Sequence, residues 1–170
     1  MQDNIIVKPS VEKQFDRFLR QGRVLFFSAP CGFGKTAVAE ALLSIREVLR
    51  LSADSDGCKL PSAEADWKIL LLDDLQDMQE EQDWNALCGL IRACPERRFV
   101  LLSRGTPPGS LMAFQYTGLM TVLEADDLLF DADDVRRLLR LYGVEAADSE
   151  IDGILKESVG YPLGVAITAR

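Results

Sequence analysis

Residues 29–36 read Ala-Pro-Cys-Gly-Phe-Gly-Lys-Thr and match the phosphate-binding loop pattern, with Ala29 in place of the usual first glycine. The continuous apolar run Val24–Phe27 before them predicts a strand buried on both faces. The segment Lys35–Ile45 after them is rich in alanine and leucine and predicts a helix. Strand, glycine-rich turn and helix are the context that the motif requires, so the pattern predicts a phosphate site. A turn used only for packing is the alternative.

The residue types of this phosphate loop suit the binding of phosphate. Glycines at 32 and 34 allow a tight turn in which backbone N–H groups approach phosphate oxygens, and the helix that follows presents its positive end to them. Lys35 is expected to reach the β- and γ-phosphates as a catalytic cation, and Thr36 to offer its hydroxyl to Mg²⁺. The residues predicted to contact nucleotide here are Pro30, Cys31, Gly32, Phe33, Gly34, Lys35, Thr36 and Ala37.

A second apolar run, Ile69–Leu72, ends in two acids, Asp73 and Asp74. An apolar strand that ends in an acid is the Walker B pattern. Asp73 is predicted to hold Mg²⁺, usually through water, and Asp74 to act in catalysis by polarising the attacking water. Two acids that only terminate a strand are the alternative.

A third apolar run, Phe99–Leu102, is followed by Ser103 and Arg104. Polar residues at the carboxyl end of a central strand face the ligand crevice of an open α/β sheet. Ser103 is therefore predicted to hydrogen-bond the γ-phosphate or the water, and Arg104 to bind the γ-phosphate by charge. An arginine in an ordinary surface loop is the alternative.

The composition excludes several classes of function. The chain has 170 residues, about one domain's worth, and its net charge of −8 disfavours binding to nucleic acid or anionic membrane through its overall field. It has no histidine, which removes histidine-based triads and metal sites. The start, MQDNIIVKPS, lacks the apolar core of a signal peptide, and no apolar run is long enough to span a membrane. We expect a cytoplasmic protein whose four cysteines are free thiols.

The pattern changes along the chain. Strands and helices alternate over residues 24–123, which predicts an α/β domain, residues 1–124, with a mostly parallel sheet. After residue 123 the pattern is helical, which predicts a small helical lid, or the start of a second domain, over residues 125–170. The acid-rich stretch 124–134 is expected to be a solvated connector with a helix N-terminus, in which Asp131 caps the helix; a metal site is the alternative. No stop signal precedes Arg170, so we expect a longer protein.

Four motifs in this order are similar to one known family. They are SAPCGFGKT at 28–36, LLLDDLQD at 70–77, FVLLSRGTPP at 99–108 and GYPLG at 160–164. The chain resembles the nucleotide-binding module of signal-transducing (STAND-type) P-loop ATPases, above all the large ATP-binding LuxR-type bacterial transcriptional regulators.

The resemblance carries expectations about structure. It implies a P-loop NTPase core with strand order 5-1-4-3-2, a helical domain that closes over the nucleotide, and a contact of Pro162 with the base. It also implies that residues 7–9 pass the adenine. One departure concerns Ser52–Trp67, which is shorter than the family's usual insert and puts the second strand and its helix in question.

The resemblance also implies a function. The chain is expected to bind ATP or ADP with Mg²⁺, to hydrolyse ATP slowly as a regulatory switch, and to support ATP-dependent self-association. DNA contact would belong to a further C-terminal domain. Three other functions stay open: a metabolic phosphotransferase, an AAA-type ATPase subunit, and an interaction module whose loop binds nothing.

Overall fold

The computed structural model describes residues 5–54 and 58–169, so Met1–Asn4, Gly57 and Arg170 of the sequence predictions lie outside the described residues. Five parallel strands form one sheet in the order β2-β3-β4-β1-β5. Read from the other edge, this is the order 5-1-4-3-2 that the family resemblance implies. The strands are β1 (Val24–Ser28), β2 (Val48–Ser52), β3 (Ile69–Asp73), β4 (Arg98–Ser103) and β5 (Met120–Glu124).

Helices cover the sheet and follow it in sequence. The helix after the phosphate loop ends at Leu43, two residues before its predicted end at Ile45, which is exposed. The helices are α1 (Pro9–Gln21), α2 (Lys35–Leu43), α3 (Glu81–Ala93), α4 (Met112–Tyr116), α5 (Ala125–Leu128), α6 (Ala132–Leu141), α7 (Asp148–Ser158) and α8 (Pro162–Thr168). In the described part of the chain, none is long and apolar enough to cross a membrane.

The central strands are buried on both faces, as their unbroken apolar runs predict. Alternate residues of β1 pack into two different cores: Phe26 contributes to one cluster and Phe27 to the other. Neither ring has any exposed surface. This two-sided burial explains why these strands lack the apolar–polar alternation of a half-exposed sheet.

The second strand forms although its connection to β3 is short. In the described part of that connection, residues 53–54 and 58–68, there is no helix. Trp67 is buried there, meets Phe99 edge to face at 5.5 Å between ring centroids, and lies under the guanidinium of Arg97 at 4.2 Å. An irregular segment with a buried tryptophan thus connects β2 to β3, where the resemblance implies a longer insert with an extra helix.

The helical lid, helices α5–α8, has a core of its own. Five of its side chains and Ile6 form this core. Asp131 caps α6 as predicted, because its side chain accepts hydrogen bonds from the N–H groups of Asp133 and Asp134. Asp134, however, is only 2% exposed, so the expectation of a solvated acidic stretch is wrong at this residue. The division into domains at residue 124 stays a prediction.

The strand register lines up the residues that carry chemistry. Ser52 on β2 lies beside Asp73 on β3, and Ser28 on β1 lies between Ser103 on β4 and Glu124 on β5. Because all five strands are parallel, these polar residues all lie at the carboxyl ends of the strands. The candidate site is therefore at the carboxyl end of the strands, where open α/β sheets bind ligands.

Candidate nucleotide-binding site

A cavity of about 480 Å³ opens at the carboxyl edge of the sheet, between the phosphate loop and the helical lid. It collects most of the residues that the sequence singles out. Pro30 and Ser103 are not part of its wall. The predicted residues that line it are Cys31, Gly32, Phe33, Gly34, Lys35, Thr36, Ala37, Asp73, Asp74, Arg104 and Pro162.

The two glycines of the phosphate loop have left-handed backbone conformations, with φ of 84° at Gly32 and 76° at Gly34. Gly34 is the N-cap of α2, so the loop leads directly into the positive end of that helix. A Cβ on Gly32 would also lie 1.7 Å from the hydroxyl oxygen of Tyr161 in the helical lid. Gly32 is thus required both by its φ and by the approach of the lid.

Lys35 is held against the loop. Its ammonium donates hydrogen bonds to the carbonyl oxygens of Ala29 at 2.7 Å and Pro30 at 3.0 Å. Burial lowers the pKa of Lys35, and the nearby carboxylate of Asp73 opposes that shift. Pro30 therefore contacts Lys35 through its backbone carbonyl, and the residue itself is exposed.

Two oxygen groups suited to Mg²⁺ meet at the start of α2 and the end of β3. The hydroxyl of Thr36 donates to Oδ2 of Asp73 at 2.8 Å, and Oδ1 of the same carboxylate accepts from the N–H of Asp74 at 2.7 Å. A hydroxyl and a carboxylate are the hard ligands that Mg²⁺ prefers, usually with several waters. Thr36 and Asp73 therefore fit the ion that the sequence motifs imply.

Asp74 has a left-handed backbone conformation, with φ of 56°. Its Oδ2 accepts a hydrogen bond from the hydroxyl of Ser52 at 3.2 Å, and its Oδ1 accepts one from Nε2 of Gln76 at 3.0 Å. The other end of Gln76, Oε1, accepts from the backbone N–H of Arg104 at 3.2 Å. Ser52 and Gln76 were not predicted as site residues; their only sequence signal is a polar side chain at or just after a strand end.

Ser103 has a different position from the one expected. It is buried, and its hydroxyl oxygen accepts a hydrogen bond from the N–H of Gly105 at 3.1 Å. The hydroxyl thereby stabilises the turn after β4 instead of lining the cavity. A contact with a γ-phosphate would require that hydrogen bond to break. Arg104, the next residue, is exposed and lines the cavity.

The helical lid contacts the phosphate loop directly. The hydroxyl of Tyr161 donates to the carbonyl of Cys31 at 2.9 Å, and the N–H of Leu163 donates to the carbonyl of Gly32 at 3.2 Å. The ring of Tyr161 also packs against Phe33, with 5.2 Å between the ring centroids. Pro162 begins α8 between these contacts. The GYP motif therefore holds the lid on the loop, a role of the tyrosine that the sequence did not reveal.

The N-terminal strap, residues 5–8, lines the cavity with Ile5, Ile6 and Lys8. Of the residues 7–9 that the resemblance places at the adenine, Lys8 lines the cavity, and Val7 and Pro9 do not. Lys8 donates to the carbonyl of Leu129 and forms an ion pair with Asp134 at 3.4 Å. Arg137 reaches the other carboxylate oxygen of Asp134 at 3.5 Å and donates to the carbonyl of Val7 at 3.2 Å. The strap is thus attached to α6. The apolar wall consists of Ile5, Ile6, Val11, Leu128, Phe130, Leu138, Tyr142, Leu163 and Ala166.

The remaining sequence predictions concern sulfur and metal. All four cysteines are free thiols, and burial raises the pKa of Cys88. Within residues 5–54 and 58–169, no group of three or more cysteine or acidic side chains is arranged to hold a metal ion by itself. The acidic stretch before α6 therefore forms caps and ion pairs in the described structure.

Solved structures share this fold at low sequence identity. The Holliday junction branch migration motor RuvB of Thermotoga maritima aligns with 97% of this chain and 61% of its own, at 17% identity and a TM-score of 0.63. Domain III of the replication initiation protein DnaA from Thermotoga maritima covers 98% of this chain and 85% of its own, at 16% identity and a TM-score of 0.62.

A signal transduction ATPase with numerous domains (STAND) from Pyrococcus horikoshii, which has a tetratricopeptide repeat sensor, covers 96% of this chain and 30% of its own. Its identity is 10% and its TM-score 0.63. No family model matches the chain, and no curated protein matches its sequence. The chain spans about six tenths of the length of the RuvB structures. The fold is that of the P-loop ATPases.

Proposed function

We propose that this chain is a nucleotide-driven switch that binds ATP with Mg²⁺ and hydrolyses it slowly. The observation that carries the proposal is that three groups meet on one glycine-rich loop. These groups are the Lys35 ammonium, the paired oxygens of Thr36 and Asp73, and the Tyr161 hydroxyl of the helical lid. A loop used only for packing needs neither the pair of oxygen ligands nor a lid above it.

Each group has a distinct part in this mechanism. The N–H groups of the loop and the positive end of α2 bind phosphate oxygens, and Lys35 neutralises the charge on the β- and γ-phosphates. Thr36 and Asp73 hold Mg²⁺, which neutralises phosphate charge when bound. Asp74 orients the attacking water, and Arg104 stabilises charge on the γ-phosphate.

The base would occupy the apolar part of the cavity. Aliphatic and aromatic side chains from the strap and the helical lid form its wall, which suits a flat heteroaromatic ring. Pro162 lines the same cavity and begins α8. One bound nucleotide would therefore contact the loop with its phosphates and the lid with its base.

The switch depends on the contacts between the loop and the helical lid. Phosphate binding acts on the loop, whose carbonyls at residues 31 and 32 accept hydrogen bonds from the lid. A shift of a two-state equilibrium from 1:99 to 99:1 requires about 5.5 kcal/mol of differential binding. Contacts at both ends of the nucleotide supply that difference more readily than phosphate contacts alone.

In this proposal the switch belongs to a bacterial transcriptional regulator of the LuxR type. The motif order supports this assignment, and the net charge of −8 disfavours DNA binding by the chain itself. DNA contact would fall to another domain of the same protein. ATP would promote self-association, because a lid closed over ATP presents a different surface from a lid over ADP.

Calorimetric titration with ATP and ADP, with and without Mg²⁺, tests nucleotide binding. We expect the wild type to bind, and Lys35→Ala to weaken ATP binding at least about tenfold, or about 1.4 kcal/mol. Lys68→Ala is the matched control, because this exposed lysine directly precedes β3 and so lies at the amino ends of the strands, away from the site. Absence of binding to the folded wild type, or equal binding by Lys35→Ala, would contradict the proposal.

An AAA-type ATPase subunit is the second candidate. The structural likeness to RuvB and to DnaA domain III favours it. Such a subunit would assemble into rings and receive an arginine from its neighbour. Sedimentation velocity with ATP separates the candidates, because nucleotide-dependent hexamers support the AAA-type subunit and an ATP-dependent dimer supports the regulatory switch.

A further inference from the structure

Gln76 joins the two strand ends that carry the candidate catalytic residues. It lies in the turn Leu75–Asp77 that follows β3, and it lines the cavity. Its amide nitrogen donates to the carboxylate of Asp74, and its amide oxygen accepts from the backbone N–H of Arg104. One carboxamide therefore bridges the end of β3 to the end of β4.

We propose that Gln76 is a positioning residue that fixes Asp74 and Arg104 relative to each other for ATP hydrolysis. This inference rests on the proposed function, because it assigns Gln76 to the same site. Gln76 itself acts through its two neighbours: it orients the carboxylate of Asp74, and it holds the backbone from which the Arg104 side chain extends into the cavity.

The bridge requires a side chain with both a donor and an acceptor, and a carboxamide has both. The carboxylate of Asp74 needs a donor, and the N–H of Arg104 needs an acceptor, so the bridging side chain must supply both. A glutamate in this place keeps the acceptor but puts a second carboxylate beside Asp74. An alanine removes both bonds.

Asp74 is held from two sides. Ser52 donates to one carboxylate oxygen and Gln76 to the other, so the carboxylate cannot rotate without loss of a hydrogen bond. Its left-handed backbone conformation also places the side chain in a direction set by the turn. A catalytic carboxylate gains from such restraint, since a small misplacement of a reacting group lowers the rate of the chemical step strongly.

The first test needs no nucleotide. Gln76→Glu and Asp74→Asn are combined in a double-mutant cycle, with the midpoint of urea unfolding as the readout. We expect Gln76→Glu to lower the midpoint in the wild-type background and to have a much smaller effect in the Asp74→Asn background, because repulsion between two carboxylates is then absent. Equal shifts in the two backgrounds would overturn the contact on which the proposal depends.

The second test is steady-state ATP hydrolysis. We expect Gln76→Ala to lower kcat at least about tenfold while KM for ATP stays within about twofold, because orientation of Asp74 and not nucleotide binding is lost. In an Asp74→Asn background, Gln76→Ala should add little. Gln79→Ala, at an exposed glutamine three residues further on, is the control and should match the wild type.

The outcomes separate this proposal from the proposed function. A Gln76→Ala variant with wild-type kcat, or with a raised KM and an unchanged kcat, would overturn the positioning role while nucleotide binding stands. A wild type that neither binds nor hydrolyses ATP would overturn the proposed function and with it the positioning role of Gln76 in hydrolysis. The unfolding cycle would then decide only whether Gln76 orients Asp74.

Discussion

The sheet and the helical lid are stabilised in different ways. In the sheet, whole strand segments such as Val24–Phe27 have no exposed surface, and large side chains fill both faces. The lid has a core of six buried side chains, one of which, Ile6, comes from the N-terminal strap. The lid is attached to the rest of the molecule by polar contacts of Tyr161 and Leu163 with the phosphate loop and by apolar contacts of Leu128 and of the Tyr161 ring. Because the core of the lid is smaller than either core of the sheet, we expect the lid to open at a free-energy cost below that of global unfolding.

The apolar substitution Phe26→Ala should have the largest effect on the free energy of unfolding. Phe26 has no exposed surface and lies in the core on one face of the sheet. Removing its ring leaves a cavity, so we expect a loss of about 3–5 kcal/mol in chemical denaturation. Ile167→Ala on α8 is the control, because its side chain is 67% exposed and its loss should cost less than about 0.5 kcal/mol. Similar losses for both variants would contradict the prediction that burial of Phe26 stabilises the sheet.

The ionic attachment between strap and lid should rank second. Asp134→Ala removes the nearer carboxylate from the ammonium of Lys8, which keeps Asp131 at 4.0 Å, and the carboxylate that pairs with the guanidinium of Arg137. We expect a cost of about 2 kcal/mol, less than for a fully buried pair because Arg137 is partly exposed. Hydrogen exchange should show the loss in α6 and the strap, with the central strands still protected. Asp133→Ala is the control at an exposed neighbour; loss of protection in the sheet as well would contradict the prediction.

The cap of α6 should contribute about 1 kcal/mol to lid stability, measured as the loss in Asp131→Ala. The N–H groups of Asp134 and Asp133 lower the pKa of Asp131 by stabilising its carboxylate. Its contribution is therefore present above the ordinary aspartate pKa and is lost as pH falls through the lower pKa of the folded state. The difference between wild type and variant should shrink between about pH 5 and pH 3. A difference that stays constant over this range would show that the charge of Asp131 has no part in the cap.

The hydroxyl of Tyr161 should have the smallest effect. Tyr161→Phe keeps the ring against Phe33 and removes only the hydrogen bond to Cys31, so we expect a loss of about 0.5–1 kcal/mol. Hydrogen exchange of α8 is the measurement, because this helix begins next to the tyrosine. Tyr161→Ala, which also removes the ring, should lose more. If both variants match the wild type, the lid is held on the loop by other contacts.

Local features of the chain were predictable to within a residue or two. The apolar runs that became β1, β3 and β4, the glycine-rich turn and the cap at Asp131 each depend on a few consecutive residues. The burial of Asp134 was missed because it depends on Lys8, more than a hundred residues away in sequence. The charge of Asp134 by itself predicts a solvated residue. The residue is buried because the N-terminal strap packs against α6.

The candidate site divides in the same way. The motifs predict Lys35, Thr36 and Asp73 as site residues because their spacing within each motif and their places after strands are properties of the sequence. The bonds that orient the site join distant residues, such as Tyr161 with Cys31, which are 130 positions apart, and Gln76 with Arg104, which are 28 apart. Such pairs form only when the strand order and the position of the lid bring them together. The sequence by itself determined which groups are predicted to bind phosphate and Mg²⁺; the tertiary structure decided which side chains hold those groups in place, because backbone preferences act over a few residues and packing acts across the whole fold.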